Sequence, residues 1–399
     1  MIKNKLVYYL QRFWTRLHIA IVFFGFKFYF KRWQVINCPK MKKNEAVIYV
    51  ANHQNAFLDA LSIYQSQKRL PIFLVRANIF ATPFARFVLR SFNMLPIYRM
   101  RDGAENMSKN DKIIEDCNDI LIDGRQPLAI FVEGNHNMRR SLRPIKKGVG
   151  RIAFSTLEKA NYNIKLKIIP IGIAYSKHTR FRSDLLINYG EEIIVNNYRE
   201  AYNENPNKAV LQLTREIFSA INKLVINISD SVNYEEIEKA WIKQKETKDN
   251  MLDELHNDQR IVAKLIKEKE EGKTLDTLPS SKTKKNSILP MILGFPLFIY
   301  GTLNNLSIYF LLSRILRKVV NDVHFYGSIK LAGGVYLGGL LYLLQAIGVY
   351  SLSGGSSIIA LLYFVSLPLI GSFAYDYYLK YFTDEPHTTS SADLLRGYK

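Results

Sequence analysis

VANHQNAFLDAL, residues 50–61, ends an apolar run in Asn52-His53 and sets Asp59 six positions after the histidine. The run before it, AVIYVA (46–51), reads as a strand continuous enough to be buried on both faces, and residues 57–66 read as a helix. On a regular helix a spacing of six leaves two side chains about 120° apart. His53 and Asp59 therefore meet only if the histidine lies at the strand end and the aspartate in the following helix, and the sequence offers that arrangement. A carboxylate accepting from one ring nitrogen fixes the tautomer and leaves the other nitrogen free to take a proton. No Ser or Cys accompanies the pair, so the nucleophile would be a hydroxyl of the substrate. The plainer reading is a polar turn histidine that caps the next helix, and the pair alone does not decide between the two.

Outward from this stretch, short apolar runs alternate with helical periodicity. IFLV (72–75), LAIFV (128–132), IIPIGIAY (168–175) and LLINY (185–189) read as further strands; residues 80–92, 105–121 and 147–160 read as helices. The alternation predicts an α/β domain with a mixed, largely parallel sheet, whose reactive groups gather at the carboxyl ends of strands.

The flanking regions differ. Residues 1–44 hold ten Lys or Arg and no acid around LHIAIVFFGFKFYF (17–30), which is too short and too interrupted by Lys27 to span a bilayer and lacks a small-residue cleavage site. An interfacial or shallowly inserted anchor fits it better than a signal peptide. Residues 201–286 read as charged helices, a solvated pair without chemistry across 207–272, followed by a polar linker at 279–287. Three long apolar segments follow, at 288–312, 331–352 and 356–379, and mark 287–380 as a transmembrane domain ahead of a polar tail, 381–399. Pro290, Pro296 and Asn304-Asn305 suggest that the first segment is broken or re-entrant, giving two full spans plus a hairpin. Arg314, Arg317 and Lys318 would keep its loop on the cytoplasmic face with the basic α/β domain.

The net charge of +20 favours anionic partners. Nucleic acid is disfavoured by the apolar spans, by the 24 Tyr and 23 Phe, and by the absence of a recognised binding module; membrane lipid is the expected partner. Cys38 and Cys117 form neither a disulfide framework nor a metal-ligand spacing.

Two more clusters carry chemistry. Arg99 and Arg101 leave the apolar run in NMLPIYRMRDG (93–103), and Arg suits bidentate phosphate binding. LAIFVEGNHNMRR (128–140) ends a buried strand in Glu133-Gly134-Asn135-His136, where Gly134 permits a sharp turn whose amides could form an anion-binding nest. Arg139, Arg140, Arg143, Lys146, Lys147 and Arg151 follow with no acid among them. Taken alone, the Arg99 and Arg101 cluster is equally readable as a surface ion pair.

Three strand-end clusters in this order resemble the glycerophospholipid acyltransferases, over residues 46–193. NHQNAFLD is similar to that family's first block, NHxxxxD, with Asn52, His53 and Asp59 kept and five intervening residues in place of four. The 73–99 stretch, FLVRANIFATPFARFVLRSFNMLPIYR, resembles the second block, with Arg99 at the arginine used on the acceptor phosphate. FVEGNHN resembles the third block, FPEGTRS, keeping Phe131, Glu133 and Gly134, while Val132, Asn135 and His136 replace the proline, threonine and arginine. Pro170 in IIPIGIAY and the glycine strand INYGEEI (187–193) complete the pattern. The resemblance implies an acyltransferase domain over 45–200, with His53 and Asp59 as catalytic residues. Asn52, Arg99, Arg101, Glu133, Gly134, Asn135, His136, Arg139 and Arg140 would bind substrate. It also implies an acyl thioester donor, on coenzyme A or acyl carrier protein, and neither cofactor nor metal. Lysophosphatidate is the expected acceptor, followed by glycerol-3-phosphate and other lysophospholipids. The contrasting expectation is a non-catalytic membrane protein that binds anionic lipid.

Overall fold

The computed structural model of the chain describes residues 5–98, 108–276 and 287–383. Helix α1 (Lys5–Tyr29) runs directly into strand β1 (Phe30–Ile36). After it come β2 (Ala46–Ala51), α2 (Ala56–Ser66), β3 (Ile72–Arg76), α3 (Pro83–Ser91), β4 (Met94–Ile97) and α4 (Ser108–Asp123). Next are β5 (Leu128–Phe131), α5 (Gly148–Lys159), β6 (Leu166–Tyr175), β7 (Ser183–Tyr189) and the short β8 (Ile193–Ile194).

The strands form one sheet in the order β1-β7-β6-β2-β5-β3-β4, with β8 beside β6. Pairing is parallel from β6 through β2, β5 and β3 to β4, and between β1 and β7. It is antiparallel only where β6 meets β7 and β8, so the expected mixed, largely parallel α/β sheet is present. The central strand β2 shows why its run is apolar throughout. Val47, Tyr49 and Ala51 pack with Phe26 of α1 and Leu58 and Leu61 of α2. Ile48 and Val50 face the opposite layer with Leu121 of α4 and Ile152 and Leu157 of α5, as the alternation of side chains along a strand requires. β1 extends the sheet into residues assigned from sequence to the anchor. FKRWQVI is an edge strand whose polar positions hid it, and Arg32 turns out to be an interior ligand of acids rather than a surface cation.

Helices α6 (Arg199–Glu204), α7 (Pro206–Asn222), α8 (Tyr234–Gln244) and α9 (Met251–Glu270) correct the reading of a solvated charged pair. Ala209, Leu213, Ile217 and Ile221 of α7 lie in the core against the sheet. Charges of α8 and α9 are paired with the sheet and the loop after β5: Arg32 Nη2 lies 2.6 Å from Asp184 of β7 and 3.0 Å from Glu254 of α9, and Arg140 of that loop lies 2.8 Å from Glu238 of α8.

Helix α10 (Ile288–Val319) precedes α11 (Tyr326–Ala332), which continues through a wide turn at Gly333–Leu337 into α12 (Gly338–Leu352); α13 (Ser357–Tyr381) follows. Three helical stretches, Ile288–Lys318, Val323–Leu352 and Ser357–Tyr381, are long and apolar enough to cross a membrane. The first is one continuous helix, neither broken nor re-entrant. Pro290 stands in its first turn, where an amide has no intrahelical partner to lose, and Pro296 removes a single bond. Asn304 and Asn305 donate back to the carbonyls of Tyr300 and Gly301 at 2.8 Å, while their side-chain oxygens accept from the hydroxyls of Tyr363 and Tyr342. These asparagines bond to their own helix and tie it to α12 and α13 instead of breaking it. A Cβ at Gly301 would come within 2.6 Å of the Ile370 carbonyl oxygen, so the glycine allows α10 and α13 their close approach. Arg182, in the loop after β6, holds Asp376 of α13 at 2.6 Å and 3.1 Å, fastening the apolar helices to the sheet.

Candidate functional site

The site lies at the carboxyl ends of β2 and β5. β2 stops after Ala51 because the Asn52 side chain takes over its pairing: Oδ1 accepts from the Ile173 amide at 2.8 Å and Nδ2 donates to the Ile173 carbonyl at 2.9 Å. Asn52 is thus a latch between strands, with a backbone partner at each amide atom. Replacing it with Ala leaves two buried backbone groups of β6 unpaired, and a loss of about 1–3 kcal/mol is expected. Urea unfolding of the detergent-solubilised chain measures it, and a shift near zero would mean that water replaces the latch.

Released from the sheet, the chain turns so that His53 and Asp59 meet. His53 Nδ1 lies 2.8 Å from Asp59 Oδ2, and the same oxygen accepts from the amides of Gln54 and Asn55 at 2.8 Å each. Asp59 Oδ1 accepts from the Tyr175 hydroxyl at 2.8 Å. Four donors around a wholly buried carboxylate fix its direction. The partner requires Nδ1 to carry the proton, which leaves Nε2 as the free base. The His53 ring stacks on Phe131 at 4.1 Å and 10°, so its plane is also set by packing.

Glu133 stands beneath. Its Oε1 accepts from the His53 amide at 2.9 Å and its Oε2 from Arg143 Nε at 2.6 Å; Arg143 also reaches the Asn135 carbonyl. Burial pushes the Glu133 carboxyl above its ordinary range, against the pull of Arg143 and the His53 amide. Glu133 therefore braces the first block against the third and offers no face to a phosphate. Gly134 has φ +73°, the left-handed region its turn requires, and its amide donates to the Phe131 carbonyl at 3.1 Å. The amides of His53, Gln54, Asn55, Gly134 and Asn137 are all engaged within the protein. The nest expected at Gly134 thus reduces to the amides of Asn135 and His136, which have no partner among the described residues.

The remaining candidates part company. His136 is half-buried, edge-on to His53 with ring centroids 5.5 Å apart. Burial, then the nearby His53 and His324 rings, pull its imidazole down to about 4, so it is neutral near pH 7 and supplies no cation. Arg140 is buried among protein partners. It donates to Glu238 at 2.8 Å and to the carbonyls of Tyr175 and Ser176 at 3.3 Å and 3.1 Å, and lies over the Trp241 ring. The Arg139 guanidinium rests on the Tyr234 ring at 4.8 Å. Lys146, Lys147 and Arg151 remain exposed, while Arg99 and Arg101 lie outside the described residues. Sequence reasoning missed Tyr175, which stands 116 positions from Asp59 and carries no motif of its own.

The family model described as Acyltransferase matches residues 32–174. Two curated yeast proteins are similar in part. Glycerol-3-phosphate O-acyltransferase 2 of Saccharomyces cerevisiae is 34% identical over 104 residues, and Glycerol-3-phosphate O-acyltransferase 1 of the same organism is 29% identical over 106. Each match covers 26% of this chain and only 14% of the relative. Among solved structures, the 1-acyl-sn-glycerophosphate acyltransferase PlsC of Thermotoga maritima is similar with a TM-score of 0.38 and 16% identity, over 55% of this chain and 83% of that one. Residues 32–174, which carry His53, Asp59 and Glu133, thus match an acyltransferase domain.

Proposed function

We propose that the chain is an integral membrane O-acyltransferase that moves a fatty acyl group from a thioester, on coenzyme A or acyl carrier protein, to a glycerol-phosphate acceptor at the cytoplasmic face. The observation that carries this reading is the His53–Asp59 pair, held at a strand end with Nδ1 fixed and Nε2 free. His53 Nε2 removes the acceptor hydroxyl proton as the oxygen attacks the thioester carbonyl. Asp59 orients the ring and stabilises the imidazolium. The amides of Asn135 and His136 are the donors we assign to the tetrahedral oxyanion. Its collapse expels the thiolate, which takes the proton back from His53. The thioester is already activated, so the carbonyl needs no further electrophile. Lys146, Lys147 and Arg151, with Arg99 and Arg101, are the cations we assign to the acceptor phosphate. Exposed Phe13 and Phe24 of α1 and Phe87 of α3 offer an apolar surface to the bilayer, from which long acyl chains enter.

We assign glycerol-3-phosphate as the first acceptor, on the names of both yeast relatives; lysophosphatidate, the expectation from sequence, stands second. The test is transfer by the purified full chain in mixed micelles, with labelled acyl-coenzyme A or acyl carrier protein and each acceptor in turn. Glycerol-3-phosphate is expected to turn over fastest. Turnover only with lysophospholipids bearing head groups would move the reading to lipid remodelling. Silence with every pair, together with binding to anionic vesicles, would leave a non-catalytic lipid-binding protein.

A further inference from the structure

The short turn between α10 and α11 brings two residues to the mouth of the site that no cysteine or histidine spacing announced. Asp322 caps that turn: its Oδ1 accepts from the His324 amide at 3.0 Å and lies 2.6 Å from His324 Nδ1. Its other oxygen points across to the third block, where Oδ2 lies 3.3 Å from His136 Nε2. The His136 and His324 rings are 4.5 Å apart, and one ligand atom from each of the three residues falls within 4.8 Å of the others. The Phe325 ring, 5.5 Å from His136, walls one side.

The His136–Asp322 separation suits an ion better than a plain contact, while the Asp322–His324 hydrogen bond holds the two residues of the turn together. Metal–ligand bonds of about 2.0–2.1 Å place the corners of a tetrahedron about 3.3 Å apart. The His136–Asp322 separation equals that edge, and is longer than a well-formed hydrogen bond to a ring nitrogen. As ligands, two imidazoles and one carboxylate bring one negative charge, which a divalent cation over-neutralises, and imidazole selects zinc-class ions over magnesium or calcium.

We propose that His136, Asp322 and His324 bind one divalent transition-metal ion of the zinc class, clipping the loop of the apolar helices to the third block beside His53. Three protein ligands leave a fourth position for water or another oxygen donor. The inference does not depend on which acceptor is acylated.

The experiment uses the full chain, untagged by histidines, solubilised in detergent and stripped with chelator. Cobalt(II) is titrated in and followed by its visible absorption, since zinc itself is spectroscopically silent. One equivalent is expected to bind with the intense bands of a tetrahedral site, to be displaced by one equivalent of zinc, and to raise the unfolding temperature of the wild type. His324→Ala and Asp322→Asn should each weaken binding at least about tenfold to a hundredfold, while replacement of the exposed helix histidine, His256→Ala, should leave it intact. Wild type that takes up no stoichiometric cobalt would overturn the site whatever the variants do. Binding that persists in both ligand variants but vanishes in His53→Ala would place the ion on the His53–Asp59 pair and overturn the assignment as well.

Discussion

His53→Ala is expected to lower acyl transfer by about 10²–10⁴-fold, the range for loss of a positioned general base, or roughly 3–5.5 kcal/mol of barrier. The geometry makes this variant informative because little else should change. Asp59 loses one of its four donors and keeps Gln54, Asn55 and Tyr175, so no buried carboxylate is stranded. The His53 side chain contributes stacking on Phe131 but is not enclosed, so the unfolding midpoint should move by no more than about 1 kcal/mol. The loss should fall in kcat, with the acceptor KM nearly unchanged, because in the proposed mechanism the imidazole acts on the hydroxyl and other residues hold the phosphate. Steady-state rates in mixed micelles at saturating donor measure this. Activity within tenfold of wild type would remove His53 from the chemistry; a matching collapse of the unfolding midpoint would show a structural role instead.

How much of this was legible in the sequence follows from how each part is held together. β2, β6 and β7 are buried on both faces, so their apolar runs announced them. The His53–Asp59 pair was legible for a local reason: six positions across a strand-to-helix turn can be checked against helix geometry. β1 and the 201–276 helices were misread for the opposite reason. Many of their charges are paired across long separations, and Arg32 with Asp184 and Glu254, or Arg140 with Glu238, look like solvated residues until the partner is known. The third block shows both sides: its turn at Gly134 was readable, whereas the engagement of Glu133 with Arg143 and the His53 amide, which turns a phosphate candidate into a brace, was not. The continuous α10 was hidden because proline and asparagine signal a break in isolation, and only the hydroxyls of Tyr342 and Tyr363 on neighbouring helices show how the asparagines are satisfied.

Glu238→Ala should cost about 3–5 kcal/mol of stability, the penalty for removing one partner of a buried ion pair. Glu238 is fully buried and Arg140 nearly so. Glu238 accepts from Arg140 at 2.8 Å and from the Tyr234 hydroxyl at 2.9 Å, and the same hydroxyl accepts from the Arg140 amide at 2.7 Å. Without the carboxylate, the guanidinium keeps two carbonyls and the Trp241 face, none of which neutralises its charge. Urea unfolding followed by tryptophan fluorescence reads the shift, since Trp241 is buried against the pair. The double variant Arg140→Met with Glu238→Leu separates charge from packing. Removing both charges should recover most of the loss, but not all, because the Tyr175 and Ser176 carbonyls then lose their donor. One of those carbonyls belongs to Tyr175, whose hydroxyl holds Asp59. A slackened Arg140 therefore loosens the support of the His53–Asp59 pair, and molecules of Glu238→Ala that remain folded should show reduced kcat with an unchanged acceptor KM. A shift below about 1 kcal/mol with full kcat would mean that α8 is an appendage and that the acyltransferase domain ends with the sheet.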